Sequence, residues 1–197
     1  MKYSAGIVSK SFWFLESRKT ARYILEGLKR QDIIELAVKE NIYQVESEYR
    51  ARRMASSIYQ RLKSLPEDVL KLLVEADSET SRIIVLISIM KTDRLFFEFM
   101  HEVFRTKIIM GDHILEDRDL NIFFEEKRMQ SATVDKWVDS TIKRLKSEYI
   151  RMLREAGLLR DKGDRREILK PFIDLAAEKR LMKEDMAPYF STLTGRL

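Results

Sequence analysis

The chain has 197 residues, of which 45% are hydrophobic and 35% are charged, a balance that excludes a disordered chain and a membrane-embedded one. It contains no cysteine, which excludes disulfides, thiolate zinc sites, iron–sulfur clusters and cysteine nucleophiles. The first ten residues lack the apolar core and the cleavage pattern of a signal peptide, which predicts a cytoplasmic protein.

The net charge of +5 is unevenly distributed along the chain. Residues 1–65 carry a net charge of +6, residues 66–130 carry −5 and residues 131–197 carry +4. Basic ends around an acidic middle favour two cationic surfaces. The alternative is that most of these charges form i,i+4 pairs on solvated helix faces.

Apolar residues recur at helical spacing along almost the whole chain, and only six glycines and three prolines interrupt it. We predict an all-α, compact multi-helix bundle of about eight to ten helices. The predicted helices span residues 12–26, 32–40, 47–65, 67–75, 78–90, 95–110, 117–129, 134–156 and 172–182, with a last short helix near Pro188. Residues 161–164 are predicted as a polar turn and residues 166–170 as a short strand.

We place a domain boundary at Pro66, because proline cannot continue the preceding helix. This boundary divides the chain into an N-terminal three-helix basic unit, residues 1–65, and a helical core with C-terminal basic helices, residues 66–197. The alternative is a single compact domain over residues 1–197.

The third predicted helix has one apolar face and two basic flanks. Its single acid is Glu48, in the first turn, and its candidate DNA-binding residues are Arg50, Arg52, Arg53, Arg61 and Lys63. Two helices, a connector and a basic third helix are typical of a helix-turn-helix unit, although the connector exceeds the usual turn of about three to four residues. Arginine suits DNA because its guanidinium clamps phosphates or guanine edges with two hydrogen bonds. The alternative is a solvated helix whose arginines pair with neighbouring acids.

The long helix predicted from Val134 to Ala156 repeats this pattern, with an apolar stripe opposite a row of cations that would follow a phosphate backbone. Three acids, Asp139, Glu148 and Glu155, dilute its charge. We expect cations that lie far apart in the chain to converge in one patch. The candidates in the long helix and the first helix are Lys136, Lys143, Arg144, Lys146, Arg151, Arg154, Arg18, Lys19 and Arg22.

Catalytic patterns are weak in this sequence. It has no glycine-rich phosphate loop, and His101 lies in an aromatic helix, which favours a structural role. His113 belongs to the acidic segment 112–119, which is more typical of a helix N-cap than of a metal site. Glu125-Glu126-Lys127 superficially suits a nuclease, but it lies in a helix without a preceding strand. We therefore predict a non-enzymatic protein without a metal or another cofactor.

Short blocks of residues, in order along the chain, point to a known family. They are Tyr3-Ser4-Ala5-Gly6, Glu16-Ser17-Arg18, Ala21-Arg22, Leu25-Glu26-Gly27, Ile89-Met90-Lys91-Thr92, Glu98-Phe99-Met100, Phe123-Phe124-Glu125-Glu126-Lys127 and Glu155-Ala156-Gly157-Leu158-Leu159. Together they resemble the BrxA family, small accessory proteins of BREX (bacteriophage exclusion) phage-defence systems. The blocks cover residues 3–160, and none of them is a catalytic signature.

The resemblance implies a compact all-helical fold similar to the transcription antitermination factor NusB. It also implies a cationic surface that binds double-stranded DNA, and association with other BREX components. Of the candidate DNA-binding residues, Arg18 and Arg22 fall within the family blocks. A protein–protein adaptor without nucleic-acid contact, and an RNA-binding protein by analogy with NusB, are the alternatives.

Overall fold

The computed structural model describes residues 2–183 and 185–196, which form two compact units. The first unit comprises Met1–Ser11 and Asp93–Leu197, and the second comprises Phe12–Thr92. The all-helical prediction is confirmed, because the regular structure of the described residues is helical except for one small two-stranded sheet. None of the helices described is long and apolar enough to cross a membrane.

The second unit is built around one fully buried helix. Its elements are α1 (Phe14–Leu25), α2 (Arg30–Lys39), α3 (Glu48–Lys63), α4 (Glu67–Glu75) and α5 (Ser78–Thr92). The run from Ile83 to Met90 in α5 is buried on every side, as expected for a helix that is apolar all round. The helices α1, α3 and α4 pack against α5. Helix α4, which follows Pro66, packs on both α1 and α5 within this unit.

Three consecutive aromatic residues begin the second unit and point in different directions. Trp13 has a left-handed backbone, with φ of 54°, which separates the side chains on either side of it. Phe12 is fully buried, whereas Trp13 lies under the guanidinium of Arg61 at 5.4 Å from the ring centroid. Phe14 packs in the same way under the guanidinium of another arginine in this unit. Phe12 is therefore a core residue, whereas Trp13 and Phe14 each pack under an arginine of this unit.

The first unit has an aromatic core. Its elements are a short 3-10 helix (Gly6–Ser9), α6 (Arg94–Phe99), a π-helical turn (Met100–Phe104), α7 (Arg105–Met110), α8 (Asp117–Gln130), α9 (Ala132–Asp135), α10 (Asp139–Glu155), α11 (Leu175–Leu181) and α12 (Ala187–Thr194). The ring of Tyr149 on α10 packs against Phe96, Phe99 and Phe124, with centroids 4.9 to 5.7 Å apart. Burial raises the pKa of Tyr149, and its hydroxyl has no hydrogen-bond partner within residues 2–183 and 185–196.

The long helix predicted from Val134 to Ala156 starts later in the structure. Helix α9 ends at Asp135, and α10 begins at Asp139 after Val138, whose backbone is extended. Val134 is buried while Val138 is mostly exposed, although their four-residue spacing fits a continuous helical stripe. An aspartate in the first turn stabilises the new helix start, since carboxylates favour the positive end of the helix dipole.

The predicted short strand is confirmed as half of a hairpin. Strands β1 (Leu159–Lys162) and β2 (Arg165–Ile168) pair antiparallel, and Gly163 makes the turn with φ of 60°. The backbone N–H of Leu115 donates to the carbonyl oxygen of Arg166 at 2.9 Å, which ties the hairpin to the loop before α8. The hairpin is thus part of the first unit.

Candidate nucleic-acid interface

Helix α3 turns its apolar face to the core of the second unit and most of its cations to solvent. Ser47 caps the helix by accepting a hydrogen bond from the backbone N–H of Arg50. The side chains of Arg50, Arg52 and Lys63 are exposed and have no ion pair in the part of the chain that the structure describes. The guanidinium of Arg53 lies 5.5 Å from the centroid of the exposed Tyr49 ring. The flanks of α3 thus carry Arg50, Arg52 and Lys63 without a carboxylate partner in the described part of the chain.

Several of the candidate cations instead make contacts within the second unit, and Arg18 and Arg61 are among them. Arg61 is only 4% exposed and stacks on Trp13. Arg18 donates from Nη2 to the carbonyl oxygens of Val74 and Ala76, at 2.7 and 3.3 Å, at the C-terminal end of α4. A cation at this position donates hydrogen bonds to carbonyl oxygens that have no partner within the helix. Its positive charge also interacts favourably with the negative end of the helix dipole. We therefore leave Arg18 and Arg61 out of the proposed interface.

The connector between α2 and α3 is docked on α1. Tyr43 is buried, and its hydroxyl lies 2.6 Å from Oγ1 of Thr20. Burial raises the pKa of Tyr43 to about 12. The ammonium of Lys19 donates to the carbonyl oxygen of Ile42 at 3.1 Å. The connector, residues 40–47, is thus a long segment anchored by its own side chains, unlike the short turn of a typical helix-turn-helix unit.

One cation beside α3 was missed by sequence reasoning. Nη2 of Arg30, at the start of α2, donates to Oγ of Ser56 on α3 at 2.8 Å, which places this guanidinium on the same side of the unit as part of α3. Arg22 of α1 is exposed and has no ion pair among the residues described. The adjacent basic residues Lys29 and Arg30, just before the second predicted helix, were the available signal in the sequence.

The last turns of helix α10 carry two cations, Arg151 and Arg154, that are paired with acids. Arg151 pairs with Glu148 and Glu155, which lie three residues before it and four residues after it. Arg154 pairs with Asp161 of the hairpin at 2.6 Å. These ion pairs agree with the alternative given above, in which charged side chains on solvated helix faces pair with nearby opposite charges.

The first turns of α10 differ, because two cations there lack such partners. Lys143 and Arg144 are exposed and have no ion pair within the described part of the chain, whereas the ammonium of Lys146 donates to Oδ1 of Asn121 at 2.7 Å. Lys136 lies before this helix, at the C-cap of α9, and not on the cationic row where it was predicted. A shallow cleft of about 440 Å³ is lined by Val8, Ser140, Lys143, Arg144, Ser147 and Glu148.

A larger groove between α8 and α10, of about 590 Å³, contains balanced charges. Arg128 pairs with Asp139 at 2.6 Å, and Arg166 pairs with Asp117 at 2.6 Å. Lys143 also reaches this groove. A polyanion that entered the groove would have to displace carboxylates from both arginines, which makes it a poorer candidate than the cleft beside Ser140.

The acidic segment before α8 makes caps and ion pairs. Nζ of Lys107 lies 2.7 Å from Asp112 and 2.9 Å from Asp119. Asp119 also accepts a hydrogen bond from the backbone N–H of Glu116, which caps α8. Within the described residues, no group of histidine, aspartate and glutamate side chains is arranged to hold a metal ion.

Lys127, singled out beside two glutamates in the sequence, is a buried structural cation. Its Nζ lies 2.8 Å from Glu98 and 2.6 Å from Glu102, and its side chain is 3% exposed. Burial acts to raise the pKa of Glu98, but hydrogen bonds from Lys127, Arg94 and Tyr3 outweigh it and lower that pKa. This cluster joins α6, α8 and the N-terminal segment within the first unit, which gives Lys127 a structural role.

Comparisons with known proteins agree over almost the whole chain. The BrxA family model matches residues 1–185. A protein of Bacillus cereus (strain H3081.97) named "BREX protein BrxA" is 42% identical over 193 residues, which are 98% of this chain and 96% of that protein. A protein of the same name from Paramagnetospirillum magneticum (strain ATCC 700264 / AMB-1) is 25% identical over 160 residues, 81% of this chain and 80% of that protein. A crystal structure of an uncharacterized protein from Magnetospirillum magneticum shares the fold, with a TM-score of 0.82 at 20% identity, over 99% of this chain and 100% of that one.

Proposed function

The chain belongs to the BrxA family, and we propose that it acts as a non-enzymatic accessory component of a BREX phage-defence system by binding double-stranded DNA. The observation that carries the proposal is the free charge on the two basic flanks of α3. Arg50 on one flank, and Arg52 and Lys63 on the other, have no ion pair among the described residues. Cations without a carboxylate partner keep their full charge for a ligand, and they release counterions from DNA when they meet its phosphates.

Binding through phosphates fits these side chains better than the reading of bases. Arg50 and Lys63 are separated along α3 by about 20 Å at 1.5 Å per residue, a length over which duplex DNA carries about twelve phosphates. Neither Arg50 nor Arg52 has a hydrogen bond from its guanidinium, within the described residues, that would fix it for one base edge. Contacts of this kind position a protein on DNA and carry little sequence information.

The cleft at the start of α10 offers a second phosphate site on the first unit. Lys143 and Arg144 lie there beside the hydroxyls of Ser140 and Ser147. Arginine, lysine and serine are the side chains that commonly donate to phosphate oxygens in protein–DNA complexes. We infer that this cleft is a phosphate contact of the first unit in its own right.

Salt titration tests the proposal. Fluorescence anisotropy with labelled duplexes of several sequences should give similar affinities that fall with salt. If about five phosphates are contacted, log K should fall with log[salt] with a slope of about −4 to −5. Binding that is independent of salt, or no binding at low salt, would remove the DNA-binding function.

Two other functions can be told apart from DNA binding by the partner that is bound and by whether binding survives high salt. A protein–protein adaptor is favoured by the large apolar side chains exposed on the first unit, such as Met129 and Phe172. An adaptor would co-purify with a BREX component at high salt and leave free duplex DNA unbound. An RNA-binding function rests on the resemblance to NusB, and competition between duplex DNA and structured RNA separates it from the proposed one.

A further inference from the structure

One continuous segment of the first unit combines α8, α9 and α10 with three extended stretches that pair with one another. Residues 113–115 come first, the helices follow, and the hairpin of β1 and β2 ends the segment. The backbone N–H of Leu115 donates to the carbonyl oxygen of Arg166 at 2.9 Å. The backbone N–H of Ile168 donates to the carbonyl oxygen of His113 at 2.7 Å. The first stretch is therefore antiparallel to β2, and β2 lies between it and β1.

This order of elements is that of a winged helix-turn-helix unit. In such a unit an extended stretch precedes two packed helices, and a hairpin after the second helix returns to pair with that stretch. Helices α8 and α10 are packed in this way, since the ring of Phe124 lies 5.7 Å from that of Tyr149 and the ammonium of Lys146 donates to Asn121. Helix α10 thus has the place of the second helix, whose N-terminal residues face DNA in helix-turn-helix proteins.

The outward face of α10 consists of hydroxyls and cations. At 100° per residue its members fall within about 100° of one another, opposite the buried Leu145 and Tyr149. They are Ser140, Lys143, Arg144, Ser147, Arg151 and Arg154, all exposed. The three acids of the helix fall outside this face. The two cations without an ion pair in the described chain, Lys143 and Arg144, lie in the N-terminal half, which is the half that such a unit presents to DNA.

The hairpin lies beside this face and carries a free cation next to its tip. Arg154, on the outward face of α10, pairs with Asp161 of β1 at 2.6 Å, which holds the hairpin there. Gly163 turns the chain at the tip with φ of 60°. Arg165, two residues later, is exposed and has no ion pair within residues 2–183 and 185–196. Its guanidinium is therefore available to a phosphate.

We propose that residues 113–168 are a winged helix-turn-helix unit that seats α10 in the major groove of duplex DNA, and this assignment rests on the proposed function. Lys143 and Arg144 contact phosphates at the groove edges, and Arg165 of the wing contacts the backbone beside them. The major groove of B-form DNA is about 12 Å wide and admits an α-helix. The major groove of A-form RNA is too narrow and deep for side chains to read. The unit therefore selects duplex DNA over duplex RNA.

A pair of charge changes on the hairpin tests the wing. Arg165→Gln should weaken binding of the full chain to duplex DNA by about threefold in low salt and reduce the salt slope by about 1, because one phosphate contact is lost. The matched control is Arg160→Gln, which removes the same charge from a guanidinium that already pairs with Glu167 at 2.6 Å. The control should bind like the unchanged chain. Both side chains are exposed, so circular dichroism should show unchanged helicity. Equal affinities of the two variants would overturn the wing contact.

Competition identifies the groove. The Arg50→Gln, Arg52→Gln variant is used, so that fewer contacts of α3 contribute to the measured affinity. Methyl green, which occupies the major groove, should displace this variant from a labelled duplex, and netropsin, which occupies the minor groove, should not. Duplex RNA of the same sequence should bind at least about tenfold more weakly. Displacement by netropsin alone, or equal affinity for duplex RNA, would overturn the seating of α10.

The failure of this assignment differs from the failure of DNA binding itself. If the unchanged chain binds no duplex at low salt, the proposed function and the winged unit both fall. If the unchanged chain binds, but neutralising Lys143, Arg144 and Arg165 together leaves affinity and salt slope as they were, the winged unit alone is overturned and the contacts of α3 remain.

Discussion

Helices α3 and α10 are both amphipathic and rich in arginine and lysine. They differ in how many of these cations are paired with carboxylates. Helix α3 carries one acid, Glu48, in its first turn. In α10, Glu148 and Glu155 pair with Arg151 from both sides. Counting cations would rank the two helices as equal candidates for DNA. The arrangement of acids shows instead that free charge is concentrated on α3 and at the start of α10.

The largest effect should come from neutralising free cations on α3. We expect Arg50→Gln with Arg52→Gln to lower duplex affinity by about thirtyfold in low salt and to reduce the salt slope by about 2, because two phosphate contacts are lost. The matched control is Arg151→Gln with Arg154→Gln, which removes the same charge from cations that already have carboxylate partners. Anisotropy titrations of both variants make the comparison. Equal losses would mean that ion pairing does not decide which cations bind.

Arg61 tests the same point within α3. Arg61→Leu should destabilise the second unit by about 1 to 2 kcal/mol, because the cation–π contact with Trp13 and the packing of the side-chain stem are lost. Urea denaturation measures this change. The salt slope of DNA binding should stay as it is, since the guanidinium is buried. A weaker affinity at unchanged stability would return Arg61 to the interface.

The cleft of α10 should give a smaller effect on DNA binding. Lys143→Gln with Arg144→Gln is expected to lower affinity by about fivefold, because the cleft then loses the two cations that would contact phosphates. Lys146→Gln is the control, since its ammonium already donates to Asn121. If Lys146→Gln weakens binding as much as the double variant does, the hydrogen bond to Asn121 does not withhold that charge from DNA.

Lowering the pH should break ion pairs by protonating their carboxylates, and it should leave the charge of the cations without a carboxylate partner unchanged. The pKa of Glu98 is lowered in the folded protein, so the carboxylate stabilises the fold at neutral pH. This contribution is lost as the pH falls below the ordinary value of 4.5 and through the lower pKa of the folded state. Thermal melts across this range should show a smaller loss for Glu98→Gln than for the unchanged chain. A loss of equal size in both would place the acid-sensitive groups elsewhere.

Much of the fold follows from local patterns in the sequence. Helix α4 has the predicted bounds, because Pro66 fixes its start and its apolar residues are regularly spaced. The break before α10 did not follow, since Val134 and Val138 have a spacing that a continuous helix would also show. The spacing of apolar residues indicates which side chains are buried, but it does not indicate where one helix ends and another begins on a new axis.

The candidate site was predicted less well, because pairing depends on distant parts of the chain. Arg18 reaches the carbonyl of Val74, a residue 56 positions away, and no local pattern indicates that contact. The angular position of Arg61 on its helix gave no sign that Trp13 would cover it. By contrast, the ion pairs of Arg151 lie within one turn on either side, and the acids that form them were visible in the sequence.

The π-helical turn at Met100–Phe104 sets the phase of everything that follows it in that helix. A turn of this kind accommodates one residue more than an α-helical turn does. The wide turn absorbs this surplus residue, so that α7 keeps the rotation in which Ile108 is buried against Gly195. In a regular α-helix the same extra residue would rotate α7 by about 100° and turn Ile108 away from α12. Deleting one residue within Met100–Phe104 would let the segment close into an α-helical turn, and such a deletion should therefore harm the protein less than an insertion there.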